Sequence, residues 1–371
     1  MKEKPHYLII EPYYGGSHKA FITGLTKAVE GTFTSFTLPP RKWKLRMQLS
    51  APHMAEKIIA ARKKGEHFDA ILTSTFIDVA VLRSMLTQEG ISIALGIYFH
   101  ENQLAYPIRP EDTDRYQFAA INCTSALCAD AVAFNSRYNM ESCLQGIERF
   151  TQKAADFPLP NLVEQIRSKS CVLYPGMDFS GIVSAEKANL RTQEKPPAIV
   201  WNHRWEHDKN PEEFFAALFE LQESGRDFQL IIVGESFRNH PAIFDRAQKK
   251  LAGRILHFGY CPRKEEYFSL LAQGTIIVST AFHEFFGMSV LEGVRAGCWP
   301  LVPDRLSYRE LFPKQYRYAT GQLKKSLAKL LDTKARMAEQ ERKQLTEAYS
   351  WTQMRDAYED WLNQLRTKSS P

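Results

Sequence analysis

The chain has 371 residues, 44% hydrophobic and 24% charged, and its 48 lysines and arginines against 42 aspartates and glutamates leave a formal net charge of +6. That length exceeds one typical core and predicts two domains, the fractions are those of a globular protein, and no apolar run approaches the roughly 18 to 20 residues a membrane-spanning helix needs, which excludes an integral membrane protein. The charge is too modest to identify a polyanionic partner by itself, and six scattered cysteines (Cys123, Cys128, Cys143, Cys171, Cys261 and Cys298) form no CxxC pair. We therefore expect reduced thiols, cytoplasmic residence, no zinc signature and no structural metal.

The opening MKEKPHYLIIEPYY reads as a first strand, Tyr7 to Glu11, and not as a secretory signal. Gly15 and Gly16 permit a tight turn after it, and Ser17 is placed to cap a helix through Leu25. Strand, glycine turn and helix start together make a cradle for an anion or a sugar, although Gly-Gly is common in any loop. A second strand is expected at Thr32 to Leu38. Beyond it Arg41, Lys42, Lys44 and Arg46 surround Trp43, followed by Arg62, Lys63 and Lys64. Such a cluster suits phosphates with a tryptophan to stack on a base; it also reads as a solvated helix face beside a packed ring.

Phe68 to Ser74 is a third strand, and Ile91 to Phe99 is a continuous apolar run of the kind buried on both faces of a parallel sheet. It ends in His100, Glu101, Asn102 and Gln103. Four hydrogen-bonding residues at the carboxyl end of a buried strand lie where open α/β sheets place ligands. Asp112-Thr113-Asp114 spells a DxD pattern, here read as acidic residues opening a helix. Further strands are expected at Ala131 to Phe134 and Cys171 to Leu173, and residues 179–197 read as a polar linker ending in two prolines.

The second half repeats the alternation. Ala198 to Trp201 is a strand leading into Asn202, Arg204 and Lys209, where two cations suit a diphosphate, and Glu212 to Ser224 is an amphipathic helix. Strands Phe228 to Val233 and Ile255 to Phe258 follow, the latter ending at Gly259-Tyr260, then a helix over residues 264–272. Ile276 to Pro300 reads strand, loop, helix: it passes through Glu284 to Phe286-Gly287, and Met288, Val290, Leu291 and Val294 then recur at helical spacing. Glu284 and Glu292, with seven residues between them, bracket a helix N-terminus that offers unpaired N–H groups to a diphosphate, and carboxylates accept hydrogen bonds from sugar hydroxyls. By spacing alone the same pair also reads as a capping and a surface glutamate. Leu301 to Pro303 is read as the final strand, and Ser350 as the cap of a helix through Leu365 whose Trp351, Tyr358 and Trp361 need a surface to cover.

The ordered set Arg204 and Lys209, the FGY of residues 258–260, Glu284 with Phe286-Gly287 and Glu292, and SYREL at 307–311 resembles the nucleotide-sugar domain of retaining GT-B glycosyltransferases of the glycosyltransferase-4 type. In the first half GGSHKAF, HENQLAYP, INCTSALCADAVAFNS and YPGMDF are similar to the tRNA-queuosine mannosyltransferase family. The resemblance implies an α/β protein with two Rossmann-like domains facing across a cleft: residues 1–178, then, after the linker, 198–349, with 350–371 as a helix crossing back to the first domain. It further implies transfer of a hexose, mannose from GDP-mannose, onto queuosine in tRNA with retention and without a metal or other cofactor.

Carried over by position, Arg204 and Lys209 would bind the diphosphate, Glu292 the ribose, Glu284 and the Phe286–Met288 backbone the transferred sugar and phosphates, and His100 would line the catalytic pocket. Gly15, Gly16, Asn202 and Tyr260 complete the expected donor site. Ser17, His18, Lys42, Trp43, Lys44, Glu101, Asn102 and Gln103 make the expected acceptor side. Phe285 stands where the broader group often has glycine and would reshape the sugar pocket. The readings left open are a transferase acting on a lipid or polysaccharide, and a non-catalytic nucleotide-sugar or tRNA-binding module.

Overall fold

A computed structural model describes residues 4–106, 115–153, 156, 157, 159–188, 196–236, 240–333 and 337–368. The chain divides into two compact units, one of residues up to Met177 together with those from Trp351 onward, the other Asp178–Ser350. No described helix is long and apolar enough to cross a membrane.

The first unit is built on strands β1 (His6–Glu11), β2 (Thr32–Thr37), β3 (Ala70–Ser74), β4 (Ala94–Phe99), β5 (Ala131–Phe134) and β6 (Ser170–Val172), in the order β2-β1-β3-β4-β5-β6 with every pairing parallel. Side chains alternate across a strand, and here both faces are apolar. Leu95, Ile97 and Phe99 of β4 enter one core with Leu8 and Ile10, while Ala94 and Tyr98 enter the other with Tyr7 and Ile9.

That second core is closed by the C-terminal helix Trp351–Thr367, which begins directly after Ser350 and buries Met354, Tyr358, Trp361, Leu362 and Leu365. Its aromatic residues find the surface they need because the sheet side is stripped of side chains where they land. A Cβ on Gly24 would sit 1.9 Å from the Trp351 ring, one on Gly176 2.2 Å from it, and one on Gly96 2.7 Å from Leu365. Tyr358 Oη donates to the Tyr174 carbonyl at 3.0 Å, so the buried phenol is satisfied. The expected acidic pattern at Asp112–Asp114 lies outside the described residues.

The second unit carries β7 (Ala198–Trp201), β8 (Gln229–Val233), β9 (Ile255–Gly259), β10 (Ile276–Val278), β11 (Trp299–Pro303) and β12 (Arg317–Tyr318), parallel throughout in the order β12-β11-β10-β7-β8-β9. Two expectations are corrected. Leu301 to Pro303 is not the final strand, because the two-residue β12 pairs beyond it, too short to show a period in sequence. Residues 179–197 are not a simple linker: Ser180–Ala188 is a helix, and Gly181 lies so close to Phe268 of the helix Lys264–Ala272 that a Cβ would approach its ring to 2.7 Å.

In each sheet one strand pair marks a reversal of strand order, β1 with β3 and β7 with β10. The loops leaving the carboxyl ends of such a pair diverge and leave a crevice, the usual ligand position of open α/β sheets. In the second unit the polar motifs fall on these loops; in the first, Gly15 to His18 follow β1 and His100 to Gln103 follow the neighbouring β4.

Candidate active site

In the second unit the loop after β7 contributes Asn202 to Asn210, and the loop after β10 contributes Ser279 to Gly287. Lys209 is held by its backbone before its charge is considered. Asn210 adopts the left-handed conformation (φ 51°), its amide oxygen accepts from the Glu213 N–H at 3.4 Å to cap the helix Pro211–Glu223, and Thr280 Oγ1 donates to the Lys209 carbonyl at 2.8 Å. Lys209 is then only 7% exposed, and its ammonium donates to the His283 carbonyl at 2.8 Å, with Glu284 Oε2 and Asp208 Oδ2 both at 3.3 Å. Burial pushes the Glu284 carboxyl up, but the Lys209 ammonium beside it leads the effects that outweigh burial and hold it below its ordinary value. Glu284 is a carboxylate.

The loop carrying Glu284 is tied down from the segment after β11. Ser307 Oγ donates to the Phe286 carbonyl at 2.8 Å, Arg305 donates to the Thr280 and Ala281 carbonyls at 3.0 Å, and Tyr308 Oη donates to Ser279 Oγ at 2.8 Å. This is the physical content of SYREL. Gly287 opens the helix Met288–Arg295 at φ 109°, and a Cβ there would lie 3.0 Å from the Tyr308 ring, so both conformation and space require glycine. The Phe286 side chain is buried against Tyr349, and Phe285 is buried with its ring against His283.

Glu292, one turn further along, is braced by a residue the sequence reading missed. Tyr267 Oη donates to Glu292 Oε2 at 2.6 Å and accepts from Asn202 Nδ2 at 3.0 Å, and the same Nδ2 donates to the Ser289 carbonyl at 2.7 Å. Burial raises the Glu292 carboxyl above its ordinary value, with the Tyr267 hydrogen bond opposing. Asn202 Oδ1 is buried and finds no hydrogen-bond partner among the described residues. A buried acceptor in that condition is costly to the free protein and available to a hydroxyl or N–H donor. Tyr267 carried no signal of its own, since a tyrosine in an amphipathic helix is ordinary core.

Arg204 is nearly half exposed and pairs with Glu206 at 3.2 Å. Arg204 and Lys209 with Glu206, Asp208 and Glu284 make two cations and three carboxylates, so an arriving polyanion depends on Arg204 changing partner and on helix N–H groups. Burial pushes the Glu206 carboxyl up, which makes it a ready proton acceptor in that set. His203 stays neutral: burial and then the Lys209 ammonium lower it to about 4. Tyr260 lies apart from this group, 62% exposed beyond the edge strand β9.

In the first unit the expected residues divide. Gly15 takes the cap position of the helix Gly16–Ala28, with Gly16 at φ 51°. Ser17 is exposed and does not cap it, a correction that follows from the cap falling two residues earlier, on Gly15. His100 is half-buried after β4, with its ring 4.1 Å from that of His18. His18 is not a free acceptor contact: Nδ1 meets Glu11 Oε2 at 2.8 Å and Nε2 meets Glu101 Oε2 at 3.3 Å. Burial opposes its charge, but Glu11 and Glu101 raise it to about 10.

Asn102 is likewise corrected. It is fully buried, donates to Asn139 Oδ1 at 2.8 Å and accepts from the Ala105 N–H at 2.8 Å, so its amide holds the loop and has no surface left for an acceptor. Gln103 is half-buried, its N–H held by Asn122 Oδ1 at 2.7 Å. Trp43 does not stand ready to stack on a base: its ring packs 5.0 Å from Phe118, with Lys44 Nζ 5.8 Å above it. Lys42 is exposed beside it.

The ligand atoms of Glu11, His18 and His100 lie within 4.8 Å of one another, a grouping that resembles a cation site. The donor set does not fit one. Both His18 nitrogens face carboxylate oxygens, and with Glu11 and Glu101 raising the His18 pKa to about 10 the ring donates to both and offers a metal no lone pair in this arrangement.

Residues 6–177 match the model of the tRNA-queuosine alpha-mannosyltransferase N-terminal family, and residues 183–350 that of glycosyl transferases group 1. The tRNA-queuosine alpha-mannosyltransferase of Drosophila melanogaster is 38% identical over 348 residues, 92% of this chain and 90% of that one. Among solved structures, the sucrose-phosphate synthase of Thermosynechococcus elongatus superposes with a TM-score of 0.73 at 14% identity, over 98% of this chain and 100% of that one. The Anabaena protein HepE, solved in complex with UDP, gives 0.69 at 14% identity over 97% and 100%. These two likenesses establish the glycosyltransferase fold.

Proposed function

Because the chain belongs to the tRNA-queuosine alpha-mannosyltransferase family, we propose that this glycosyltransferase moves mannose from GDP-mannose onto queuosine in a tRNA, with retention of anomeric configuration. The observation that carries the reading is that the likeness runs through both units, the acceptor-side half included. The buried Lys209–Glu284 pair and the braced Glu292 support the donor half.

In this reading Lys209, Arg204 and the N–H groups at Gly287 and Met288 receive the diphosphate and stabilise the charge that develops on it as the glycosidic bond breaks. Glu284, ionised and held by Lys209, accepts from sugar hydroxyls, and Glu292, held by Tyr267, accepts from the ribose. No protein nucleophile is required: the acceptor hydroxyl attacks the face the diphosphate leaves, and the departing diphosphate takes its proton. His100 hydrogen-bonds within the pocket as a neutral ring, since burial and then the positive His18 lower it well below its ordinary value. Exposed Lys42 and Arg41 serve the RNA backbone, Trp43 contributing packing and not stacking.

The test is incubation with GDP-mannose, GDP-glucose or UDP-glucose and tRNA with or without queuosine, reading nucleoside mass. One added hexose on queuosine with GDP-mannose alone is the expected result. Transfer to queuosine-free tRNA, or to lipid or glycan acceptors in preference, would overturn the acceptor assignment.

A further inference from the structure

We propose that His18 is a positioning residue, a cationic strut clamped between Glu11 and Glu101 whose fixed charge and flat ring hold His100 in place and uncharged. The inference rests on the reading that His100 takes part in the reaction. His18 is only 5% exposed, too deep to touch a macromolecular acceptor itself. Its two ring nitrogens both point at carboxylate oxygens, an arrangement that a doubly protonated ring between two ionised carboxylates satisfies in full.

Both carboxylates are locked from other elements. Glu11 Oε1 accepts from the Tyr13 N–H and from Ser74 Oγ, each at 2.9 Å, and Glu101 Oε1 accepts from Thr75 Oγ1 at 2.9 Å. The clamp therefore joins the carboxyl ends of β1, β3 and β4 across the strand reversal. His100 lies on it with ring centroids 4.1 Å apart, while Phe21 and Tyr98 meet the His100 ring edge-on at 4.8 and 4.6 Å, and Asn135 Nδ2 donates to the His100 carbonyl at 2.7 Å. The titratable groups facing His18 are Glu11, Glu101, His100 and Tyr13; those facing His100 are His18, Tyr98 and the Glu11 carboxylate, whose charge His18 already answers. A cation pressed against an imidazole disfavours a second cation there, and leaves His100 able to accept as well as donate.

The experiment is histidine-ring NMR on the full chain across pH, for wild type, His18→Gln and His18→Lys. In wild type His18 should stay doubly protonated past pH ~8 while His100 titrates well below an ordinary imidazole. His18→Gln should raise the His100 protonation midpoint by about one unit or more, and His18→Lys, which restores the charge without the ring, should return it toward wild type. A wild-type His18 titrating near its ordinary ~6.5 would overturn the inference without any variant, so a variant that fails to fold leaves it testable. Equal midpoints in the Gln and Lys variants would also overturn it, as would stoichiometric zinc in the purified protein. The acid limb of kcat/KM should follow the His100 midpoint. Were the NMR shifts to appear while that limb stayed still, the strut would stand and the participation of His100 would fall.

Discussion

Both units gather ionisable side chains at the carboxyl ends of parallel strands where strand order reverses, but they leave them in different condition. In the first unit Glu11 and Glu101 are closed on partners from within the unit, with His18, Ser74, Thr75 and the Tyr13 N–H answering their oxygens. In the second, Asn202 Oδ1 is buried without a described partner, and Lys209 is shared among His283, Glu284 and Asp208. Buried polar groups are normally satisfied, so a closed cluster is scaffold and an open one is waiting for a ligand. The contrast is what the proposed roles rest on: donor chemistry in the second unit, and support of His100 by the cluster in the first.

The largest expected effect falls on the open cluster. Lys209→Ala should lower kcat/KM by about 100-fold or more, as the loss of one preorganised charge stabiliser does, and circular dichroism should show the fold intact. Near wild-type turnover would remove Lys209 from the mechanism. Tyr267→Phe, which deletes only the hydroxyl bracing Glu292, should raise KM for the donor by about 10-fold with less change in kcat. An unchanged KM would mean that Glu292 needs no brace.

Two buried histidines sharpen the contrast through pH. His18 is raised to about 10, so its contribution is complete below the unfolded value of 6.5 and is lost as pH climbs through about 10. His203 is lowered to about 4, so its contribution is complete above 6.5 and falls as pH drops from there to about 4. Melting temperatures from pH ~4 to ~10 should therefore decline at both ends, His18→Gln flattening the alkaline side and His203→Gln the acid side. Identical curves for the two variants would break the comparison.

Smallest is the surface effect. Lys42→Glu should weaken tRNA binding a few-fold and lower the slope of log affinity against log salt by about one to two, leaving turnover at saturating tRNA unchanged. A salt slope identical to wild type would exclude Lys42 from the RNA contact.

The sheets were legible because a strand buried on both faces is an unbroken apolar run, as in residues 94–99 and 198–201, and a run needs no knowledge of its neighbours. Lys209 and Glu284 were singled out for a related reason: they lie in the loops that follow β7 and β10, and Glu292 lies on the helix Met288–Arg295 that opens after the second of these loops. By contrast β12 is too short for a period, and the helix Ser180–Ala188 declares itself only by the surface it covers.

What the amino-acid order determined alone was therefore fold class, strand positions and the ionisable residues that meet at the second reversal. Only the tertiary structure decided which polar groups are already engaged. Asn102 and His18 read as ligand contacts in sequence but are answered by Asn139, Glu11 and Glu101, and Trp43 is covered by Phe118 and Lys44. The partners of a side chain's hydrogen bonds come from strands far apart in the chain, so no window of sequence contains them.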